Sequence, residues 1–212
     1  AQTYGERHDA ASISAVVAGS FNYRSDVGQA LLHPGSILLG NHGSCYQCRH
    51  DHGLGDRCVS VQIAPAYFAE IAATAAGSSR YRFPTPMLPA SREILPQTAI
   101  LEAGSKAQDV LYKEDILVGL VATAVRVLSG AATNTAKVSA HDERRISRAL
   151  SHIEAHSGEA LDLDRLAAVA AMSKFHFLRV FRRTVGMTPY QYLLGLRLRR
   201  AAMRLLTSPE PI

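Results

Sequence analysis

The sequence predicts an α+β protein: an antiparallel β half followed by an all-α half. Three observations predict it. Residues 12–62 hold short runs rich in Val, Ile, Leu and Tyr, broken by Gly, Asn, Asp and Pro, with no helical stretch between them. From residue 143 onward, apolar positions recur at three- and four-residue spacing. Charge divides at the same place: residues 1–136 carry 10 Lys or Arg against 11 Asp or Glu, a net of −1, whereas residues 137–212 carry 13 against 7, a net of +6.

Each element follows from its local pattern. "SISAVVAGSFNY" (12–23), "QALLHPGSILLGN" (29–41) and "CVSVQIAP" (58–65) read as strands of an antiparallel sheet, sandwich or barrel. "AYFAEIAATAA" (66–76) fits a short helix, and "SSRYRFPTPMLPAS" (78–91) a Pro-punctuated loop returning along the sheet. In "YKEDILVGLVATAVRVLS" (112–129), Ile116, Leu117, Leu120, Val121, Ala124 and Leu128 make one wide apolar stripe. That stripe packs on its own sheet or forms a dimer helix. "GAATNTAKVSA" (130–140) is small, polar and aperiodic, a linker between a unit at 1–129 and one at 141–212. Ile146, Leu150 and Ile153 then share a helix face. Asp162 caps "LDRLAAVAAM", Ser173 caps "KFHFLRVFRRTVG", and Thr188, Pro189 and Gln191 form a capping box for the last helix.

Composition narrows the function. No apolar run reaches bilayer length; the longest, Ile116 to Val125, stops at Arg126. Three cysteines confined to residues 45–58 do not make a secreted disulfide framework, so a reducing cytoplasm is expected. Between Asp164 and Glu210 there are nine basic residues and no acidic one, which points to a polyanion partner for the helical half only.

The helices 163–172 and 174–185 meet at a very short turn, Met172–Ser173, as in a helix-turn-helix whose second helix enters the DNA major groove. Phe177, Val180, Phe181 and Val185 form its inward stripe. Lys174, Phe175, Leu178, Arg179 and Arg182 then point outward. An exposed Phe–Leu pair beside arginine suits a groove where apolar groups meet thymine methyls and Arg reaches guanine. The bland alternative buries Phe175 in the bundle and leaves the arginines as a solvated face.

Residues 145–207 resemble the DNA-binding region of AraC-type transcriptional regulators. The residues that carry the likeness are Leu166-Ala167, Ser173, Arg179 with Phe181, Gly186, Thr188-Pro189, Tyr192, and Arg197 with Ala201. The resemblance implies base contacts from Lys174, Phe175, Leu178 and Arg179 behind Ser173, and phosphate contacts from Arg182 and Arg183. Such regulators carry two helix-turn-helix units joined by a long helix, and the sequence stops after that helix. Weak, salt-sensitive binding to double-stranded DNA is therefore expected of this chain. The family also places a cupin-like antiparallel β-barrel sensor ahead of the helices, and "HPGSILLGN" (33–41) is similar to its strands. A subset carries a Cys/His hairpin like the one here.

That hairpin, "CYQCRHDHGLGDRC", brings Cys45, Cys48, His50, His52 and Cys58 within fourteen residues. Zinc favours four thiolate or imidazole ligands, so three cysteines and one of the two histidines form a feasible set, provided Cys58 returns alongside on the partner strand. A thiol–disulfide sensor and inert cysteines are the other readings. A cupin-type metalloenzyme using His50, His52 and Asp56 as a facial triad is the alternative of a different class; a zinc-bound cysteine accepting an alkyl group is weaker still. The expectation is a regulator, not an enzyme, with an unknown effector and the 112–129 helix as a route to a homodimer.

Overall fold

The computed structural model describes residues 5–50, 55–91, 93–105, 110–130 and 138–207. Seven strands come first: β1 (Glu6–Arg7), β2 (Ala11–Ala18), β3 (Phe21–Ser25), β4 (Gly28–Leu32), β5 (Ile37–Gly40), β6 (Cys45–Arg49) and β7 (Arg57–Ile63). Helix α1 (Pro65–Ala76), strand β8 (Met87–Leu88), and helices α2 (Ile94–Gly104) and α3 (Val110–Gly130) follow. The helical half is α4 (Ala140–Ala155), α5 (Leu163–Val169), α6 (Lys174–Val185) and α7 (Pro189–Thr207). The proposed 130–140 linker falls largely on residues 131–137, outside the described residues.

The strands make two antiparallel sheets, in order β1-β6-β3-β4 and β7-β2-β5-β8. The expected closed barrel is not present: among the described residues no ladder joins the two sheets. The run at 12–23 divides into β2 and β3 because Gly19 takes φ +73°, and a Cβ there would press into the Gly55 carbonyl. The expected Cys/His hairpin is also corrected. β6 pairs with β1 and β3, whereas β7 pairs with β2, so Cys48 and Cys58 stand on strands of different sheets that do not pair with each other.

β2 is buried on both faces, which explains its lack of strict alternation. Ile13 and Ala15 face a core built with α1, α2 and α3; Val16 faces Phe21, Tyr23, Leu32 and Leu38. The α3 stripe packs inward, with Ile116, Leu120, Val121, Ala124 and Val125 buried. Helix α2 escapes sequence reading because it touches α3, β2 and α7 at once. Its buried residues run round the helix and include Thr98 and Glu102, leaving no single apolar stripe.

The helical half starts on firm caps. Ser139 Oγ accepts the Asp142 N–H at 3.1 Å, and Asp162 Oδ1 accepts the Arg165 N–H at 2.7 Å. Thr188 N–H donates to Gln191 Oε1 at 3.0 Å while Gln191 N–H donates to Thr188 Oγ1 at 3.2 Å, a reciprocal capping box. Ile146, Leu150, Ile153, Leu166, Phe177, Phe181, Tyr192 and Leu196 fill its core, which Leu31 of β4 joins from the sheet.

Polar contacts along that seam tie the halves together. Arg199 of α7, with 6% of its side chain exposed, donates through Nη1 to Glu102 Oε2 at 3.0 Å and through Nη2 to the Val17 carbonyl at 2.6 Å. Arg57 donates to the other Glu102 oxygen at 3.0 Å. Glu154 accepts the Gly19 N–H at 3.1 Å, and the Ser20 and Ser147 hydroxyls lie 2.7 Å apart. The His33 ring meets Tyr192 edge-on at 5.3 Å, and burial pushes the His33 pKa down to about 4.

Two measurements check the seam. Arg199→Ala leaves Glu102 as a poorly compensated buried carboxylate, and denaturant unfolding should lose about 3–5 kcal/mol; replacing both partners by apolar residues should lose much less. His33 is protonated in the unfolded chain below its ordinary 6.5 but in the folded chain only near 4. Its contribution is therefore complete above pH 6.5 and disappears as pH falls toward 4, by roughly 3 kcal/mol. In His33→Asn that acid limb of the stability profile should flatten.

Candidate nucleic-acid interface

Helix α5 ends at Val169, and the chain turns through Ala170 to Ser173 before α6 begins, with Ala171 at φ +51°. Ser173 sits at the N-cap in an extended conformation, but its hydroxyl makes no capping bond. Gly186, at φ +84°, closes α6 in the left-handed conformation. The inward stripe is as the spacing predicts: Phe177, Val180, Phe181 and Val185 are all buried.

The outer face is exposed to solvent. Phe175 is 84% exposed, and Ser173, Lys174, Arg179, Arg182 and Arg183 are exposed around it, with Leu178 half-buried at its edge. The alternative of a buried Phe175 is thereby excluded. Three local contacts organise the charges. Lys174 Nζ lies 2.7 Å from Asp164 Oδ1, and an Arg179 Nη2 stands 3.0 Å from His176 Nδ1, whose ring also approaches Asp142 at 3.8 Å. An aromatic ring in water, ringed by guanidinium and ammonium groups at the start of a helix, is arranged to meet a polyanion that offers apolar contacts.

Residues 166–212 match a family described as a helix-turn-helix domain. Over these residues the chain is similar to that helix-turn-helix domain. The HTH-type transcriptional regulator YbfI of Bacillus subtilis strain 168 is 25% identical over 187 residues, which are 86% of this chain and 66% of that protein. A second regulator of the same strain, YbfP, is 36% identical over 70 residues, 33% of this chain and 24% of its own length. Less than two thirds of either relative is spanned. Among solved structures, the AraC-like transcriptional activator CuxR covers 92% of this chain and 68% of its own at 16% identity and a TM-score of 0.43. Apo ToxT from Vibrio cholerae covers 92% and 93% at 15% identity and a TM-score of 0.40.

The helix-turn-helix domain is braced by arginines of α7 whose roles the sequence did not reveal. Arg197 donates through Nε to the Ser157 carbonyl and through Nη2 to the Glu159 carbonyl, both at 2.7 Å. Arg200 donates to the Ser157 hydroxyl and, at 3.0 Å, to the Glu154 carbonyl. Both serve carbonyls at and beyond the C-terminus of α4, where helical partners run out and the dipole favours cations. On the far side of α7, Tyr190, Leu194, Leu198 and Leu205 are exposed, at 73%, 41%, 60% and 62%. Within α7 the buried Arg199 is the residue that sequence reasoning missed, since an arginine between Leu198 and Arg200 carries no local sign of its depth.

The Cys/His segment is partly outside this picture. His52 lies outside the described residues. Strand alternation puts Cys45 on the face of β6 opposite Cys48. His50 Nε2 contacts Asp56 Oδ1, and the Cys58 thiol donates to Asp56 Oδ2 at 3.5 Å, so the carboxylate joins these two side chains to itself. Among the described residues no group of three or more His, Cys, Asp or Glu side chains is arranged to hold a metal ion. Burial, with Glu6 and Asp56 nearby, raises the Cys48 thiol to about 11, although solvent reaches that residue. Burial and Asp56 raise Cys58 to about 12. Both thiols are thus protonated at neutral pH. Iodoacetamide at a mildly alkaline pH should label Cys48 and Cys58 at least about a hundredfold more slowly in the folded protein than in denaturant. Equal rates, read by peptide mass spectrometry, would contradict this placement.

Proposed function

We propose that the chain is a transcription regulator that reads double-stranded DNA with the outer face of α6. The observation that carries this reading is Phe175, 84% exposed beside Lys174 and Arg179 on the second helix of a helix-turn-helix domain. In the groove, Phe175 and Leu178 would meet thymine methyls, Arg179 a guanine edge, and Arg182 and Arg183 the phosphates. Similarity to two HTH-type transcriptional regulators supports the same class. The β half, residues 1–129, is proposed as the sensing part, and its packing against α7 through Arg199 supports a route by which a bound effector reaches the DNA-binding helices. No helix among the described residues is long and apolar enough to cross a membrane.

Fluorescence anisotropy with a labelled duplex from the protein's own promoter region tests the reading over a salt series. Phe175→Ala and Arg179→Ala should each weaken specific binding by about tenfold or more while leaving random duplexes little changed, because they act on bases. Arg182→Ala and Arg183→Ala should weaken all duplexes alike and reduce the salt slope by about one unit each. Phe175→Ala protein that is folded and binds the promoter duplex as tightly as wild type overturns the assignment.

A further inference from the structure

The seam between the β half and the helical half opens into a cleft of about 630 Å³, within the size range of small-molecule sites. Its polar lining is Ser20 from the turn after β2, Asp56 and Arg57 at the start of β7, Ser151 and Glu154 on α4, and Arg200 on α7. Each wall thus carries one carboxylate and one guanidinium: Asp56 with Arg57 on one side, Glu154 with Arg200 on the other. A polyanion meets two carboxylates, and a polyamine meets two guanidinium groups. Asp56 is engaged by His50 and Cys58, and Arg200 by the end of α4, which leaves Arg57 and Glu154 to face a small molecule that carries both signs.

We propose that this cleft binds a small zwitterion of the amino-acid class; the proposal deepens the regulator reading above and rests on it for its regulatory meaning. Arg57 is the carboxylate partner. It gives Nη2 to Glu102, yet 62% of its side chain faces solvent, so its fork remains presented to the cleft. Glu154 is the ammonium partner: its carboxylate already turns toward the cleft to accept the Gly19 N–H at 3.1 and 3.3 Å, and an acidic group has capacity for more than two bonds. The hydroxyls of Ser20 and Ser151 supply neutral hydrogen bonds.

The site is complete only while the two halves are docked, because its walls come from both. A ligand bound there stabilises the docked arrangement by its differential affinity. The same seam holds His33 Nε2, Tyr192 Oη and Arg199 Nε buried without a hydrogen-bond partner, so docking by itself is incompletely satisfied and open to such bias. Arg57 also shares Glu102 with Arg199, so a ligand on Arg57 acts one residue away from the pair that anchors α7.

Isothermal titration of the full chain with the proteinogenic L-amino acids tests the proposal, each binder being followed by its des-amino acid and its decarboxylated amine (for L-leucine, 4-methylpentanoate and 3-methylbutylamine). At least one amino acid should bind with one-to-one stoichiometry and raise the melting temperature. Removing either charge of that ligand should weaken binding by about tenfold or more. Arg57→Ala and Glu154→Gln should do the same, with circular dichroism unchanged; the glutamine keeps an acceptor for the Gly19 N–H. Absence of binding at about 10 mM for every amino acid overturns the proposal, as does binding that survives both substitutions. Promoter binding measured on the same preparation keeps the two readings apart: protein that binds DNA but no amino acid loses only the cleft, and protein that binds an amino acid but no DNA loses only the regulator assignment.

Discussion

A guanidinium buried at the join between two cores governs how this chain is organised. Arg199 belongs by sequence to the helical half, yet its hydrogen bonds go to Glu102 of α2 and the Val17 carbonyl of β2. A charge in that position is tolerable only with its partners in place. The carboxylate, its second cation Arg57 and the β2 backbone must therefore be held where α7 can find them. α2 packs on both α3 and α7, which makes it the piece that transmits this requirement to the sheet core.

Helix α7 consequently has three different faces. Tyr192, Leu193 and Leu196 fill the helical core, with the Tyr192 ring against Phe181 of α6 at 6.0 Å. Arg197 and Arg200 serve the end of α4, and Arg199 serves the β half. Helix α6 is thereby positioned from behind, through buried aromatic contacts, while nothing in the described fold covers its front. A rigid support with an unobstructed outer face is what sequence-specific groove contacts need.

Much of the helical half was legible in the sequence because its rules are local. The stripe at Phe177, Val180, Phe181 and Val185, the caps at Asp162 and Thr188, and the stop at Gly186 each depend on residues within a few positions of one another. The outward set around Phe175 followed by subtraction. What escaped was long-range. Arg199 and Glu102 are 97 residues apart, and neither carries a local mark of its partner. Helix α2 begins with Ile-Leu-Pro and buries polar residues, so its periodicity is masked by contacts on several sides. The barrel expectation failed for the same reason: Cys48 and Cys58 are close in sequence, and only strand pairing reveals that β6 and β7 enter different sheets.

The central claim is that α7 belongs energetically to both halves. Native-state hydrogen exchange across a shallow denaturant series tests it most directly, because helices that open as one unit share an opening free energy and its denaturant dependence. The account predicts that the protected amides of α2 and α7 converge on one isotherm. Two well-separated isotherms, with α7 opening alongside α4 to α6 while α2 stays closed with the sheets, would contradict it.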